Sequence, residues 1–245
     1  MKQFGLIGFP LGHSFSKKFF TEKFENEQIE ARYGLYELDD ISKFSSLVQD
    51  VELSGLNVTI PYKEKVIPFL HELDDTAQKI GAVNVIKFVR EDGNLLLKGY
   101  NSDAIGFENS LKPYLQIHHT KALILGTGGA SKAIDYVLNK LGVETTFVSR
   151  KAQVGMLTYA DLNEQIISEN TIIVNASPVG TFPHSDECPD IPYQDLSDKH
   201  LLFDVVYNPA ETLFLKKGRD CGAVGLNGEA MLVGQAIAAW EIWNK

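Results

Sequence analysis

A glycine-rich segment between two apolar strand patterns is the feature that most restricts how this chain can fold. Residues 126–131 contain three glycines and follow the apolar run 122–125; a helical pattern over 130–141 and a strand pattern over 145–148 come next. Strand, glycine turn, helix and strand in this order are typical of the unit that binds dinucleotides. The glycines let backbone N–H groups approach a pyrophosphate at the positive end of the helix. A glycine-rich turn without a ligand is the alternative.

Strand and helix patterns also alternate through the first hundred residues, which predicts an α/β fold with a mostly parallel sheet. The Glu-Asp-Gly-Asn sequence at 91–94 is a hairpin turn signal and predicts that the two strands beside it are antiparallel. The predicted strands are 4–8, 33–38, 56–60, 83–88 and 95–100, and the predicted helices are 17–28, 41–48, 63–73 and 104–111.

Composition and charge argue against several classes of protein. The net charge of −9 disfavours nucleic acid as a partner, and no apolar run approaches the roughly 18 residues that a bilayer requires. The two cysteines, Cys188 and Cys221, and the six unclustered histidines disfavour a disulfide scaffold and a metal site. The N-terminus lacks the pattern of a secretory signal. We therefore expect a cytoplasmic monomer or homodimer that binds a small molecule and no metal, membrane or nucleic acid.

The end of the second strand in the glycine-rich unit indicates which dinucleotide binds. NAD sites usually place Asp or Glu there to hold the ribose 2′-hydroxyl. Ser149, Arg150 and Lys151 stand there instead, 23 residues past Gly126, and arginine pairs well with a phosphate. This indicates NADP as the cofactor, and a solvated basic loop is the alternative.

Polar side chains follow the strands of the first block. Ser14 and Ser16 lie two residues apart after the first strand, so on an extended backbone their hydroxyls can face one carboxylate. Alternatively, Ser16 caps the helix that begins after it. Lys63 follows the third strand at a carboxyl end, where open α/β sheets bind ligands. A solvated lysine at a helix start is the other interpretation.

Three more polar residues stand beside the last strands of this block. Asn84 adjoins an apolar strand, and Asn101 and Asp103 come between a strand and a helix. Asp103 alone would be read as an ordinary helix N-cap. Each residue has a plain structural explanation, and their joint occurrence at strand ends favours a ligand site.

Eight short segments, in the same order and at similar spacing, resemble the signature segments of the shikimate dehydrogenase family. They are distributed along nearly the whole chain, which argues against chance. The segments are 14–16, 57–63, 81–84, 101–103, 126–131, 175–180, 203–207 and 231–235.

The resemblance implies an NADPH-dependent enzyme that reversibly reduces 3-dehydroshikimate to shikimate, a step of chorismate and aromatic amino acid biosynthesis. Lys63 and Asp103 would be the catalytic pair. The residues implied to bind substrate are Ser14, Ser16, Thr59, Asn84, Asn101, Tyr207 and Gln235. Those implied to contact the cofactor are Asp75, Gly126, Thr127, Gly128, Gly129, Ala130, Ser149, Arg150, Lys151, Val205 and Gly228.

The resemblance also implies two domains. Residues 1–103, completed by 229–245, would form an α/β substrate-binding and catalytic domain with a mostly parallel sheet. Residues 104–228 would form a Rossmann-type NADP-binding domain, from which a C-terminal helix returns to the first domain.

The sequence departs from the family pattern in the segment expected to bind the adenosine end of the cofactor and in one further motif. Ser149–Lys151 replaces the usual Asn-Arg-Thr, and the helix that normally follows is expected to be missing from residues 152–170, because Gly155, Met156 and Thr158 are poor helix formers. Tyr62 replaces the usual phenylalanine. No catalytic atom is lost by these changes.

Two other functions stay open at this stage. One is a quinate/shikimate dehydrogenase that uses NAD, which the lack of an acidic residue at 149–151 disfavours. The other is a non-catalytic relative that senses nucleotides, which the intact pair Lys63 and Asp103 disfavours.

Overall fold

Two six-stranded sheets organise the chain, which the computed structural model describes over residues 1–12, 14–50 and 52–245. Residues 1–102 and 235–245 form the first unit, and residues 103–234 form the second. The assignment of a separate function to each domain stays a prediction.

The sheet of the first unit has the order β2-β1-β3-β5-β6-β4. The pairs β1–β2, β1–β3 and β4–β6 are parallel, whereas β3–β5 and β5–β6 are antiparallel. The mostly parallel sheet is therefore confirmed, and so is the hairpin, whose turn residues Asp92 and Gly93 both have positive φ. The strands are β1 (Lys2–Gly8), β2 (Ala31–Glu37), β3 (Gly55–Val58), β4 (Glu72–Leu73), β5 (Val85–Glu91) and β6 (Asn94–Tyr100).

The sheet of the second unit is parallel throughout, with the order β12-β11-β10-β7-β8-β9. Its doubly wound order confirms the Rossmann-type architecture. The strands are β7 (Lys121–Leu125), β8 (Glu144–Ser149), β9 (Leu157–Thr158), β10 (Ile172–Asn175), β11 (Leu201–Asp204) and β12 (Val224–Leu226).

Most of the helices lie where the sequence pattern places them. The helices are α1 (Phe15–Asn26), α2 (Phe44–Asp50), α3 (Asp75–Ile80), α4 (Ser102–Leu111), α5 (Gly129–Lys140), α6 (Glu164–Glu169), α7 (Leu213–Asp220) and α8 (Glu229–Asn244). None of the described helices is long and apolar enough to cross a lipid bilayer.

The predicted helix over 63–73 is wrong. The chain forms turns there, then a short 3-10 helix at Ile67–Phe69 and the strand β4. Pro68 explains the difference, because proline has no amide N–H to donate and its ring crowds the preceding turn. Lys63 therefore lies in a turn.

The prediction for residues 152–170 is correct in its first part and wrong at the end. Residues 150–156 contain turns and bends with no helix, and β9 then adds an edge strand beside Val148 and Ser149. The helix α6 follows, because the Asn163 side chain accepts from Ile166 N–H and caps its first turn.

Aromatic side chains fill one face of the first unit's sheet. Phe4 on β1 stacks against Trp243 of α8 at a centroid distance of 4.7 Å, and Phe20 of α1 lies 5.2 Å from the same indole. Trp243 Nε1–H donates to the Ile86 carbonyl on β5 at 3.1 Å. The segment of α8 from Gln235 onward thus belongs to this unit, and Ala236, Ala239, Ile242 and Trp243 lie in its core.

Gly55 on β3 is the place where this indole meets the sheet, since a Cβ at position 55 would overlap Nε1 and Cδ1 of Trp243. We expect Gly55→Ala to lower the free energy of unfolding by about 1–3 kcal/mol, because overpacking displaces the ring. Urea unfolding followed by tryptophan fluorescence measures the change.

Gly12→Ala is the matched control, because no atom lies within 4 Å of a Cβ at position 12. Its effect should remain within about 0.5 kcal/mol. Equal losses in the two variants would contradict the packing argument.

Candidate active site

One edge of the first unit's sheet collects the polar residues singled out from the sequence. The parallel strands β1 and β3 end there, the antiparallel strand β5 begins there, and β6 ends there. Thr59 N–H donates to the Ile7 carbonyl at 2.9 Å, and Val58 N–H donates to the Asn84 carbonyl at 2.8 Å. The segments that carry Ser14, Thr59, Asn84 and Asn101 all continue from this edge.

The two serines lie at the start of α1. Ser14 is its N-cap and accepts from Lys17 N–H at 3.3 Å, whereas Ser16 lies in the first turn. The extended backbone predicted for the pair is found at Ser14 but not at Ser16, and the capping role considered for Ser16 is wrong because Ser14 is the cap. The helix begins earlier than its apolar pattern because the Ser14 oxygen satisfies one of its first N–H groups.

Asn84 and Ser102 exchange side-chain hydrogen bonds. Ser102 N–H donates to Asn84 Oδ1 at 2.6 Å, and Asn84 Nδ2 donates to Ser102 Oγ at 3.0 Å. Asn101 Nδ2 donates to the Ala82 carbonyl at 2.9 Å. These buried amides are fixed by protein partners, which compensates the loss of their hydration. The start of β5 and the end of β6 are thereby held together.

Lys63 is positioned by its backbone in the turn after β3. Its carbonyl accepts from Val83 N–H at 2.7 Å, and Tyr62 N–H donates to the Thr59 carbonyl at 2.9 Å. Lys63 is half-buried, and its hydrogen-bond partner Val83 directly precedes Asn84 on the neighbouring segment.

The remaining predicted residues divide between the units. Gln235 on α8 and Asp75, the first residue of α3, belong to the first unit, and Gln235 is buried. Asp103 and Tyr207 belong to the second unit. Asp103 is buried in the first turn of α4, so its reading as an N-cap is wrong, and Tyr207 is exposed.

The carboxyl ends of the parallel strands in the second unit bring the predicted cofactor residues together. Gly126, directly after β7, has a φ of +122°, and a Cβ there would lie 3.2 Å from the backbone of Ala176, which follows β10. Only glycine fits this conformation without strain. A Cβ at Gly228 would overlap the carbonyl oxygen of Val205, which follows β11.

The start of α5 fits the pyrophosphate of a dinucleotide. Gly128 is the N-cap, makes no side-chain capping bond and has no atom within 4 Å of a Cβ position. The first N–H groups of the helix are therefore left to a ligand or solvent, and a helix N-terminus favours an anion. Ser131 Oγ, fully buried in the first turn, has no hydrogen-bond partner among the described residues.

The loop after β8 is folded around Ser149. Its hydroxyl oxygen accepts from Lys151 N–H at 3.2 Å and from Gln153 Nε2 at 3.5 Å. Arg150 and Lys151 are exposed, so both cations are available to a phosphate at this end of the sheet. In the described part of the chain, no group of three or more potential ligands could hold a metal ion.

Asp204, at the end of β11, organises the loop that carries Val205 and Tyr207. Its carboxylate accepts from Thr212 Oγ1 at 2.6 Å, from Asn175 Nδ2 at 2.9 Å and from the backbone N–H of Val206 at 3.0 Å. Burial raises the pKa of this carboxyl to about 6, because desolvation outweighs the three hydrogen bonds that favour the charged form.

Sequence reasoning gave no role to several residues that support these sites. Asn57 and Ser102 lie inside matched segments, so the motifs themselves were a signal. Tyr33 is an aromatic residue on a strand and carried no signal, although its hydroxyl donates to buried Asn57 at 2.7 Å.

The parallel sheet, the positive φ of Gly126 and the uncapped start of α5 are features of the dinucleotide-binding folds found in many oxidoreductases. The comparisons with known proteins agree. A family model described as the shikimate dehydrogenase substrate binding domain matches residues 6–86. The chain belongs to the shikimate dehydrogenase family.

Its relatives match over nearly the full length. An NADP(+) shikimate dehydrogenase from Methanosphaera stadtmanae is 34% identical and aligns with 98% of this chain and 90% of its own. The chorismate mutase/shikimate 5-dehydrogenase fusion protein of Clostridium acetobutylicum is 36% identical, with a TM-score of 0.87 over 99% of this chain and 91% of that one. The Thermus thermophilus enzyme, solved with NADP(H) and shikimate, is 28% identical, with a TM-score of 0.85 over 99% and 93%.

The raised pKa of Asp204 makes stability depend on pH. Between pH 4 and 6 the unfolded chain releases this proton before the folded protein does, so the contribution of Asp204 to stability falls as the pH rises. The loss is at most about 3 kcal/mol, at about 1.4 kcal/mol for each tenfold change in acidity.

Asp204→Asn removes the titration and keeps an acceptor oxygen for Asn175 and Val206. We expect the stability advantage of the unsubstituted protein over Asp204→Asn to be larger at pH 4 than at pH 7, as measured by urea unfolding at each pH. A difference that stays constant from pH 4 to 7 would contradict the burial argument.

Proposed function

We propose that this chain catalyses the NADP-dependent, reversible reduction of 3-dehydroshikimate to shikimate. The observation that carries the proposal is the gathering of the segments with Ser14, Ser16, Thr59, Lys63, Asn84 and Asn101 at one edge of the first sheet. Because the chain belongs to the shikimate dehydrogenase family, these polar residues are interpreted as substrate-binding and catalytic groups. The enzyme would act in the cytoplasm, as a monomer or homodimer, in chorismate and aromatic amino acid biosynthesis.

The substrate is a carboxylate with ring hydroxyls, and the first unit offers matching groups. The hydroxyls of Ser14 and Ser16 would donate to the carboxylate. Amide and hydroxyl groups at the sheet edge would bind or orient the ring hydroxyls. The residues proposed for this second task are Thr59, Asn84 and Asn101, together with Gln235 on α8 and Tyr207 of the second unit.

Lys63 is proposed as the acid–base group. Its ammonium donates to the substrate carbonyl oxygen and stabilises the negative charge that develops there. In the reverse direction the neutral amine accepts the hydroxyl proton of shikimate. Asp103 is proposed as its catalytic partner, which orients the amine and binds a substrate hydroxyl.

NADPH, when bound, supplies the hydride. The residues proposed to hold it are those at the carboxyl edge of the second sheet together with Asp75. The glycine turn and the start of α5 would bind the pyrophosphate, and Ser149, Arg150 and Lys151 would bind the 2′-phosphate. Val205 and Gly228 would contact the cofactor at the end of β11. The uncapped helix start and the positive φ of Gly126, which only glycine adopts without strain, support this assignment.

Lys63→Ala tests the chemical step. We expect kcat to fall by roughly 10²–10⁴-fold while NADPH binding stays unchanged, because the lost contact acts chiefly in the transition state. Absorbance at the nicotinamide band gives the rate, and fluorescence titration gives the dissociation constant.

Lys65→Ala is the matched control, since Lys65 is an exposed lysine in the same turn region. Its kcat should match that of the unsubstituted enzyme. If Lys63→Ala turned over within about threefold of the unsubstituted enzyme, Lys63 would not be the proton-transfer residue.

Arg150→Ala tests the cofactor assignment. A hydrogen bond to a charged phosphate contributes about 1.5–3 kcal/mol, so kcat/KM with NADP should fall by roughly ten- to a hundredfold. The value with NAD should hardly change, because NAD has no 2′-phosphate. Equal losses with both cofactors, or a preference for NAD with quinate as substrate, would contradict the proposal.

A further inference from the structure

The carboxylate of Asp204 joins three separate segments of the second unit. Its Oδ1 accepts from Asn175 Nδ2, at the end of β10, at 2.9 Å and from Val206 N–H, in the loop after β11, at 3.0 Å. Its Oδ2 accepts from the hydroxyl of Thr212, the N-cap of α7, at 2.6 Å. The Asp204, Asn175 and Thr212 side chains are fully buried, so solvent does not compete for the bonds between them.

Asn175 connects this carboxylate to the turn after β10. Its Oδ1 accepts from Ser177 Oγ at 2.7 Å and from Ser177 N–H at 3.2 Å, and its Nδ2 also donates to the Val179 carbonyl at 3.2 Å. Ala176 in this turn is the residue whose backbone lies against Gly126. The hydrogen bond from Asn175 to the carboxylate therefore holds a segment that borders the glycine turn.

The loop after β11 is held on both sides of its bond to the carboxylate. Val205 N–H donates to the Asn175 carbonyl at 3.0 Å, and Gly228 N–H donates to the Val206 carbonyl at 3.1 Å. A Cβ at Gly228 would overlap the Val205 carbonyl oxygen, so the two segments lie in close contact. Asp204 thus fixes the loop that contains Val205, one of the residues proposed to contact the cofactor.

The order of the strands indicates which half of a dinucleotide these segments meet. β7 carries the glycine turn proposed for the pyrophosphate, and β8, on one side of it, carries the loop proposed for the 2′-phosphate. β10 and β11 lie on the other side of β7. Dinucleotides bind across the carboxyl ends of such a sheet. A molecule with its adenosine end at β8 therefore has its nicotinamide half at β10 and β11.

We propose that Asp204 is a positioning residue for the nicotinamide half of NADP(H), and that it acts by fixing the turn after β10 and the loop after β11. A carboxylate suits this task because it accepts several hydrogen bonds and donates none. Segments that are fixed before the ligand arrives lose less conformational entropy on binding. The inference rests on the proposed cofactor site.

Asp204→Ala removes the carboxylate. We expect the Kd of NADPH to rise about tenfold, the value of one hydrogen bond to a charged group, and the Kd of adenosine 2′,5′-bisphosphate to stay within about twofold. The second ligand has the adenosine end and no nicotinamide. Asp204→Asn keeps an acceptor oxygen for Asn175 and Val206, so its loss of NADPH affinity should be smaller. Fluorescence titration measures NADPH binding, and calorimetry measures the bisphosphate.

Thr212→Val keeps the shape of the side chain and removes one donor to the carboxylate, so it decides the matter if Asp204→Ala does not fold. We expect the Kd of NADPH to rise about fivefold, the value of one neutral hydrogen bond, with no change for the bisphosphate. Thr212→Ser should restore the affinity. Asn163→Ala is the matched control, because it removes the N-cap of another helix in the same unit. It should lower stability in urea and leave both affinities unchanged.

The two ligands separate positioning from a general loosening of the unit. If the variants weaken NADPH and the bisphosphate equally, Asp204 supports the fold only and the inference is overturned. Unchanged NADPH affinity in folded Asp204→Ala, or in Thr212→Val where the former does not fold, also overturns it while the proposed function stands. If the unsubstituted chain binds neither ligand, the proposed cofactor site fails and the inference fails with it.

Discussion

The contact between the C-terminal helix and the first sheet is the interaction on which the substrate side of the molecule depends. Trp243 lies against Gly55 and donates to the Ile86 carbonyl, so one indole touches both β3 and β5. Phe4 and Phe20 pack on the same ring. Phe20 in turn stacks on Tyr33, whose hydroxyl donates to Asn57. Trp243 therefore packs in the same aromatic cluster as Tyr33, which holds Asn57 by a hydrogen bond.

Buried hydrogen bonds add to this packing and hold neighbouring segments of the first unit together. Asn57 and Asn84 each bond to a neighbouring segment, and Ser102 closes the series at the start of α4. In the second unit, the Asp204 carboxylate accepts hydrogen bonds that hold the loop after β11. Polar groups with fixed partners keep their orientation before any ligand arrives, which is the property that a binding site needs.

The sequence predicts local features well and long-range ones poorly. The glycine turn and the hairpin at Asp92 follow from patterns within a few residues, and the structure has both. The helix predicted at Lys63 does not form because Pro68 lies within the apolar pattern and interrupts it. Ser16 lies inside α1 because Ser14 caps the helix, which begins at Phe15, two residues before the predicted start at residue 17. The Tyr33 contact joins residues 24 apart, so no local pattern shows it.

The two-residue strand β9 has a consequence for how this protein can diversify. It lies at the outer edge of the second sheet, where it pairs only with Val148 and Ser149. An edge position borders one neighbour, so residues can be gained or lost between Ser149 and Leu157 without moving the inner strands. Arg150 lies in this tolerant stretch, whereas Gly126 is enclosed by the backbone of Ala176. The loop after β8 can thus change its length without disturbing the sheet, whereas the turn at Gly126 has no room for a side chain.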